Sequence, residues 1–465
     1  MKWTAYLLVA ATAIAQNRLT PGVATFQTVT APVIALQHVR VIDGTGAAPR
    51  EDQTVILDHG KIAAVGPTVL VPAGALVMDL TGQTVIPGIV GMHEHLFYNS
   101  GSGIAMYNEQ AFSFPRLYLA SGVTTARTGG SLEPYTDLNV KKAIDAGRMP
   151  GPKMWITGPY LEGKGSAAGP QMHELNGPDD AVRTVDYWAA EGVTSFKAYM
   201  NITRAELKAA IDAAHKHGIK VTGHLCSIGF REAAALGIDN LEHGLLADTE
   251  FHTGKQPDVC PPATRAEVAR LDLTTGPVLD MIADLVAHNV AITSTLAVFE
   301  AFDGNRPPLE QRFLDAVGPE AAISYLSSRV RSRGPDPLAE LRKEEEFEYA
   351  FVKAGGLLLA GADPTGNGGA LAGFADQRNI ELLVEAGFTP VQAIQIATSN
   401  GAKFLGELER IGTIAPGKAA DLVVIDGNPA TNIASIRRVK LVFKDGAGYD
   451  PAKLLDSVKG AVGLH

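Results

Sequence analysis

The stretch "GMHEHL" sets His93 and His95 one residue apart at the end of the apolar run "VIPGIV". Side chains alternate across an extended strand with period two, so both imidazoles face the same way. Two core histidines satisfied by backbone carbonyls would fit that pattern, and so would half of a metal site. Other short apolar runs also end in ionisable residues: Lys197 in "SFKAYM", His224 in "VTGHL", His243 in "LEHG" and Asp363 in "AGADPTG". A single buried histidine on a strand is commonly structural. Four of them with a lysine and a carboxylate would be costly to bury without a compensating ion. Imidazole and carboxylate together suit zinc and similar divalent metals, which favours the metal reading. Lys197 is the odd member, because an ammonium group has only donors and repels a cation.

The elements that must position these residues follow from the apolar rhythm. Eight strand candidates, "VIPGIVGMHEH", "TTARTG", "KMWITGPY", "SFKAYM", "VTGHLC", "NLEHG", "AITSTLA" and "LLLAGAD", each lead into a loop or helix. Longer helical stretches such as "TRAELKAAIDAAHKHG" and "DQRNIELLVEAGFTPVQAIQIAT" lie between them. Eight βα units predict an α/β fold of the TIM (β/α)8 barrel type, with chemistry at the C-terminal strand ends. A doubly wound open sheet is the alternative, but no Gly-rich dinucleotide fingerprint opens any unit. Short strands broken by turns occupy both flanks of this middle region and predict a small β-sandwich built from both chain ends. The expected organisation is a leader over 1–15, the first sandwich half over 16–87, the barrel over 88–405, and the second half with a C-terminal tail over 406–465. The run "DPLAELRKEEEFEYAFVKAG" reads as an exposed charged helix, and "YLEGKGSAAGPQMHELNGPDD" as a long Gly-rich loop beside the site.

The chain has 465 residues, 46% hydrophobic and 19% charged, enough for one large core and a smaller domain. Its net charge of −10 is spread over interspersed residues, without the basic stripe of a nucleic-acid binder. Lys2, the apolar run after it and the A-x-A pattern at Ala13-Ile14-Ala15 predict a cleaved signal peptide and a periplasmic or secreted protein. A frayed hydrophobic start is the competing explanation. The run is too short to span a bilayer, and no other segment is long and apolar enough to do so. Cys226 and Cys260 could pair, yet Cys226 follows a strand-like run and is expected to behave as a small buried hydrophobe.

In order and spacing, the H-x-H, Lys, His, His and Asp motifs resemble the binuclear metal branch of the amidohydrolase superfamily. The likeness is greatest to prolidase-like metal carboxypeptidases and ochratoxin amidases. The tail "GTIAPGKAADLVVIDGNP" is similar to that superfamily's second sandwich half, and the likeness covers nearly the whole chain beyond the leader. The resemblance implies that Lys197 is carboxylated by carbon dioxide, its carbamate bridging two divalent metal ions, zinc by preference. It further implies that His93, His95 and Asp363 hold the more buried metal and His224 and His243 the other, with a hydroxide between them. Asp363 falls at the family's general acid/base, able to take the nucleophile's proton and pass it to a leaving amine.

The remaining candidates carry less. Tyr199, two positions after Lys197, should point inward and could donate to a developing oxyanion, or be a core tyrosine. Arg127 ends "GVTTAR", where the family often continues with Asp and this chain has Thr128. It could bind a substrate carboxylate or brace the strands. His173 on the long loop and Tyr98 are the other candidate substrate contacts, while His215 and His217 close a helix as dipole partners. The expected activity is hydrolysis of an amide bond in a short peptide or N-acyl amino acid by a metal-bridging hydroxide. Ester, lactone or phosphotriester hydrolysis is the alternative on the same site. A non-catalytic metal-binding protein is disfavoured because all six ligands are kept, and a single-metal deaminase because Lys197 is present. A homo-oligomer is compatible with the sequence.

Overall fold

The computed structural model describes residues 21–100, 106–165, 171–262, 265–274, 276–330, 336–366 and 369–463; the leader expected at 1–15 lies outside them. Every one of the eight apolar runs forms parallel strand. Ile89–Glu94, Val123–Thr128 and Lys153–Trp155 make a three-stranded parallel sheet. Thr157–Leu161, Ser195–Ala198, Lys220–Gly223, Asn240–Glu242, Ala291–Ser294 and Leu358–Ala360 make a six-stranded one. The third run supplies a strand to each sheet, on either side of Ile156. At the other end, the amides of Ala362 and Asp363 donate to the His93 carbonyl at 3.2 and 2.8 Å. The last strand's exit is thereby held against the first strand's end. Most of these strands are buried along their length, which is why they read as apolar runs rather than alternating ones.

Helices separate the strands as the periodicity requires. Arg204–Lys216 starts at Thr203, whose hydroxyl accepts from the Glu206 amide while Glu206 reaches back to the Thr203 amide. This reciprocal cap fixes the entry to the helix. The charged run forms Pro337–Lys353, capped by Asp336, but it is not simply a solvated face. Glu340, Glu344 and Glu348 are buried with Leu341, Phe347 and Phe351. The reason lies across the fold: Glu344 accepts from the amides of Leu245 and Leu246 at 3.1 and 2.7 Å, closing the turn after His243.

Strands from the two flanks share one nine-stranded sheet, in which Gln83–Pro87 lies beside Leu422–Asp426 antiparallel and Val33–Val41 parallel. Its own apolar cluster includes Leu36, Val55, Val85, Leu422 and Phe443. The chain passes from this sheet to the first parallel strand at Gly88, where a Cβ would meet the Thr124 hydroxyl at 1.9 Å. Among the described residues no helix is long and apolar enough to cross a membrane.

Cys226 is not a free buried hydrophobe. It forms a disulfide with Cys260 across a sequence separation of 34 residues. The segment after the strand that ends at Gly223 lies against the long connection after His243, where Thr249 and Lys255 donate to the carbonyls of Cys226 and Ser227, a proximity that strand periodicity does not encode. A crosslink closing a loop of this length stabilises by roughly 2–4 kcal/mol, chiefly through the unfolded chain.

Candidate metal centre

Three imidazoles are aimed by what their Nδ1 atoms bind. His93 Nδ1 lies 2.8 Å from Glu242 Oε2, His95 Nδ1 3.2 Å from the Gly130 carbonyl, and His243 Nδ1 2.8 Å from the Thr295 hydroxyl. A carboxylate and a carbonyl only accept, so Nδ1 of His93 and His95 carries the proton and Nε2 is left with a lone pair. Those Nε2 atoms converge on Asp363, whose Oδ1 is 3.1 Å from His95 Nε2 and 3.6 Å from His93 Nε2. His93, His243 and Asp363 each bring one ligand atom to within 4.8 Å of the others. Lys197 Nζ sits 2.9 Å from His93 Nε2. His224 stands at the edge, partly exposed, its ring 4.3 Å from that of His243. The four histidines, Lys197 and Asp363 are thus brought together at one end of the parallel strands.

The local backbone is shaped for this. His243 and Asp363 hold φ of 70° and 45°, a left-handed conformation that non-glycine residues rarely adopt. Such strain costs of order 1–3 kcal/mol per residue and persists where surrounding bonds over-determine it. Here the Thr293 carbonyl holds the His243 amide and the His93 carbonyl holds the Asp363 amide. Gly244 must follow His243, since a Cβ would meet Glu344 Oε1 at 1.8 Å. Gly129 lets the His93 ring approach, where a Cβ would lie 2.4 Å from that ring.

Burial sets the protonation states. It pushes His95 down to about 4 and His224 to about 3, so both are neutral and able to ligate at pH 7. It pushes the Lys197 ammonium down to about 8. Burial works to raise the Asp363 carboxyl, but the charge of its surroundings, His93 foremost, holds it well below the usual range. The donor set of imidazole nitrogens and one carboxylate fits a divalent cation of the zinc type. The Lys197 ammonium is the one group that opposes it.

Glu242 was not among the sequence candidates, although it directly precedes His243. It is fully buried and accepts from Arg127 Nη2 at 2.6 Å and from Asn240 Nδ2 at 3.0 Å, besides holding His93. Burial would raise it, yet Arg127 and His93 keep it ionised. A carboxylate inside an apolar strand demands a partner, and that was its available signal. Glu242→Gln is expected to weaken metal binding about ten- to a hundredfold, measured by chelator competition. Unchanged affinity would show that Glu242 serves Arg127 alone.

Arg127, considered as a substrate contact, lies away from the cavity at the histidines. It is 1% exposed, donates to the Met92 carbonyl at 2.7 Å and to Glu242, and lines a cavity with Ser195 and Lys220, where strands begin rather than end. It braces the strands and keeps Glu242 charged. His173 is exposed and 3.3 Å from Asp180, facing a separate depression with Tyr187 and Trp188. Tyr98 is buried with its ring 6.0 Å from Phe114 and does not line the cavity at the histidines. Tyr199 does reach the centre, its ring 5.2 Å from His224 and 4.8 Å from Tyr160. His215 and His217 pair with Asp239 and Asp186 on the surface.

A profile of the amidohydrolase family matches residues 84–447. Imidazolonepropionase of Streptomyces griseus subsp. griseus is 24% identical over 416 residues, 86% of this chain and 92% of that protein. A solved Xaa-Pro dipeptidase with methionine bound in its active site superposes with a TM-score of 0.69 at 20% identity, covering 90% of this chain and 100% of the other. The A. niger ochratoxinase does so at 0.67 and 18%, covering 91% and 96%. At such identities the structural likeness speaks for the fold.

Proposed function

The chain belongs to the amidohydrolase family, and on that premise we propose that it hydrolyses an amide bond in a short peptide or N-acyl amino acid. The supporting observation is the convergence of the His93 and His95 Nε2 lone pairs with the Asp363 carboxylate beside the Lys197 amine. His93, His95 and Asp363 would hold one divalent cation, zinc by preference, and His224 and His243 a second. Two such cations would activate a water and polarise the scissile carbonyl.

Lys197 reconciles its charge with this site through carboxylation: the neutral amine attacks carbon dioxide, a C–N bond forms, one proton leaves, and an anionic carbamate replaces the cation. Asp363, ionised at neutral pH, takes the attacking water's proton and delivers it to the departing amine. Burial holds the Tyr199 phenol above its ordinary pKa, so it stays a donor for the oxygen that gains charge.

The fold reading extends in the same way. The two parallel sheets, joined through Ile156 and at His93, are taken as one (β/α)8 barrel over 88–405. The nine-stranded sheet is taken as a sandwich curled around its own core, over 16–87 and 406–465. Export is proposed from the leader and agrees with a disulfide, which persists in oxidising compartments.

The test is a screen of dipeptides and N-acyl amino acids beside ester, lactone and phosphotriester analogues, with metal analysis of the same sample. Amide turnover lost on chelation is the expected result. Turnover of esters or phosphotriesters alone would replace the reading.

A further inference from the structure

A cavity of about 300 Å3 opens onto the centre, with His224, His243 and Asp363 in its lining. Its other walls are mostly apolar, including Met200, Leu246, Val298, Phe299 and Phe302. A volume near the lower end for small-molecule sites suits one amino-acid residue and the bond beside it. Among the described residues lining it, Arg265 alone is permanently cationic.

Arg265 is placed and only partly satisfied. Its guanidinium lies 4.7 Å from the Phe302 ring centroid, and an aromatic series continues inward through Phe299 to His243, with centroid steps of 6.1 and 6.4 Å. The acid facing it, Glu340, is 3.9 Å away, beyond hydrogen-bond distance. A guanidinium has five N–H donors in a fork that matches a carboxylate. The Cys226–Cys260 disulfide also lines this cavity. It ties Cys260 to Cys226, two residues beyond His224.

We propose that Arg265 binds the free carboxylate of the substrate's leaving half, so that the site takes N-acylated apolar amino acids, dipeptides with an apolar C-terminal residue among them. This rests on the amide-hydrolase reading above. The carboxylate lies on the Arg265 fork, the apolar side chain lies along Phe299, Phe302 and Leu246, and the amide reaches Asp363. The role considered for Arg127 thus falls to a residue outside the strands.

The experiment compares kcat/KM for an N-acyl leucine and its C-terminal carboxamide in wild type, Arg265→Gln and Arg265→Lys. Wild type should prefer the acid by about ten- to a hundredfold, the range of a charge-assisted bidentate bond. The glutamine variant should bring that ratio near one, and lysine, with charge but no fork, should fall between. A ratio unchanged in Arg265→Gln, or no acid preference in wild type, overturns the proposal. A second readout separates it from the hydrolase reading: titration of the metal-loaded protein with free N-acetyl-leucine. Its Kd should rise at least about tenfold in Arg265→Gln even if no amide is cleaved. Equal Kd values would overturn the assignment.

Discussion

Lys197→Arg is expected to hold fewer than two metal ions per chain and to lose hydrolysis. Guanidinium stays cationic at any working pH and cannot become a carbamate, so the exchange removes the proposed anionic ligand while keeping length and charge. Lys197→Ala should behave alike. Metal ions supply several kcal/mol of transition-state stabilisation, so the loss should exceed about a hundredfold. Glutamate at this position returns a carboxylate at shorter reach and should recover part of the metal and part of the rate. Short-chain carboxylic acids added to the alanine variant should act in the same direction. The pattern matters because Lys197 is 1% exposed and touches His93. A merely structural ammonium in that place would be served better by arginine than by glutamate. An arginine variant with two metals and normal turnover would make Lys197 structural and remove the two-metal account.

Asp363→Asn should fold, retain most of its metal, and lose turnover by about a hundred- to ten-thousandfold, the usual range for general acid–base catalysis. The amide keeps an oxygen for the cation, but it cannot carry a proton at neutral pH. Because Asp363 lies 3.1 Å from His95 and its carboxyl is held well below the usual range, the native carboxylate is ready to accept. The measurement is kcat/KM beside metal content for both proteins. A loss smaller than roughly tenfold with full metal content would take the proton-transfer role from Asp363.

Much of this centre was legible because strand periodicity is local. Apolar runs ending in His93, His95, Lys197, His224, His243 and Asp363 declare both the strands and the end at which their side chains gather. What was not legible depends on partners distant in sequence. Arg127 reads as available for substrate because its partner Glu242, which also holds His93, lies 115 residues on. The acidic helix Pro337–Lys353 looked solvated because nothing in its own sequence reveals the turn after His243 that Glu344 caps. Cys226 and Cys260 pair because two connections run side by side. Arg265 lies in one of the long connections, where neither period nor motif singles out a residue, and only its place in the cavity marks it.

The most direct test is the zinc content of the protein stripped by chelator and reloaded with and without bicarbonate. With bicarbonate, two metal ions per chain are expected, because carbon dioxide would supply the proposed carbamate on Lys197 as a ligand. Without it, the second ion should bind weakly and the content should fall towards one. A content of one per chain under both conditions, in protein that hydrolyses its amide substrate, would contradict the two-metal centre and the carboxylated lysine together.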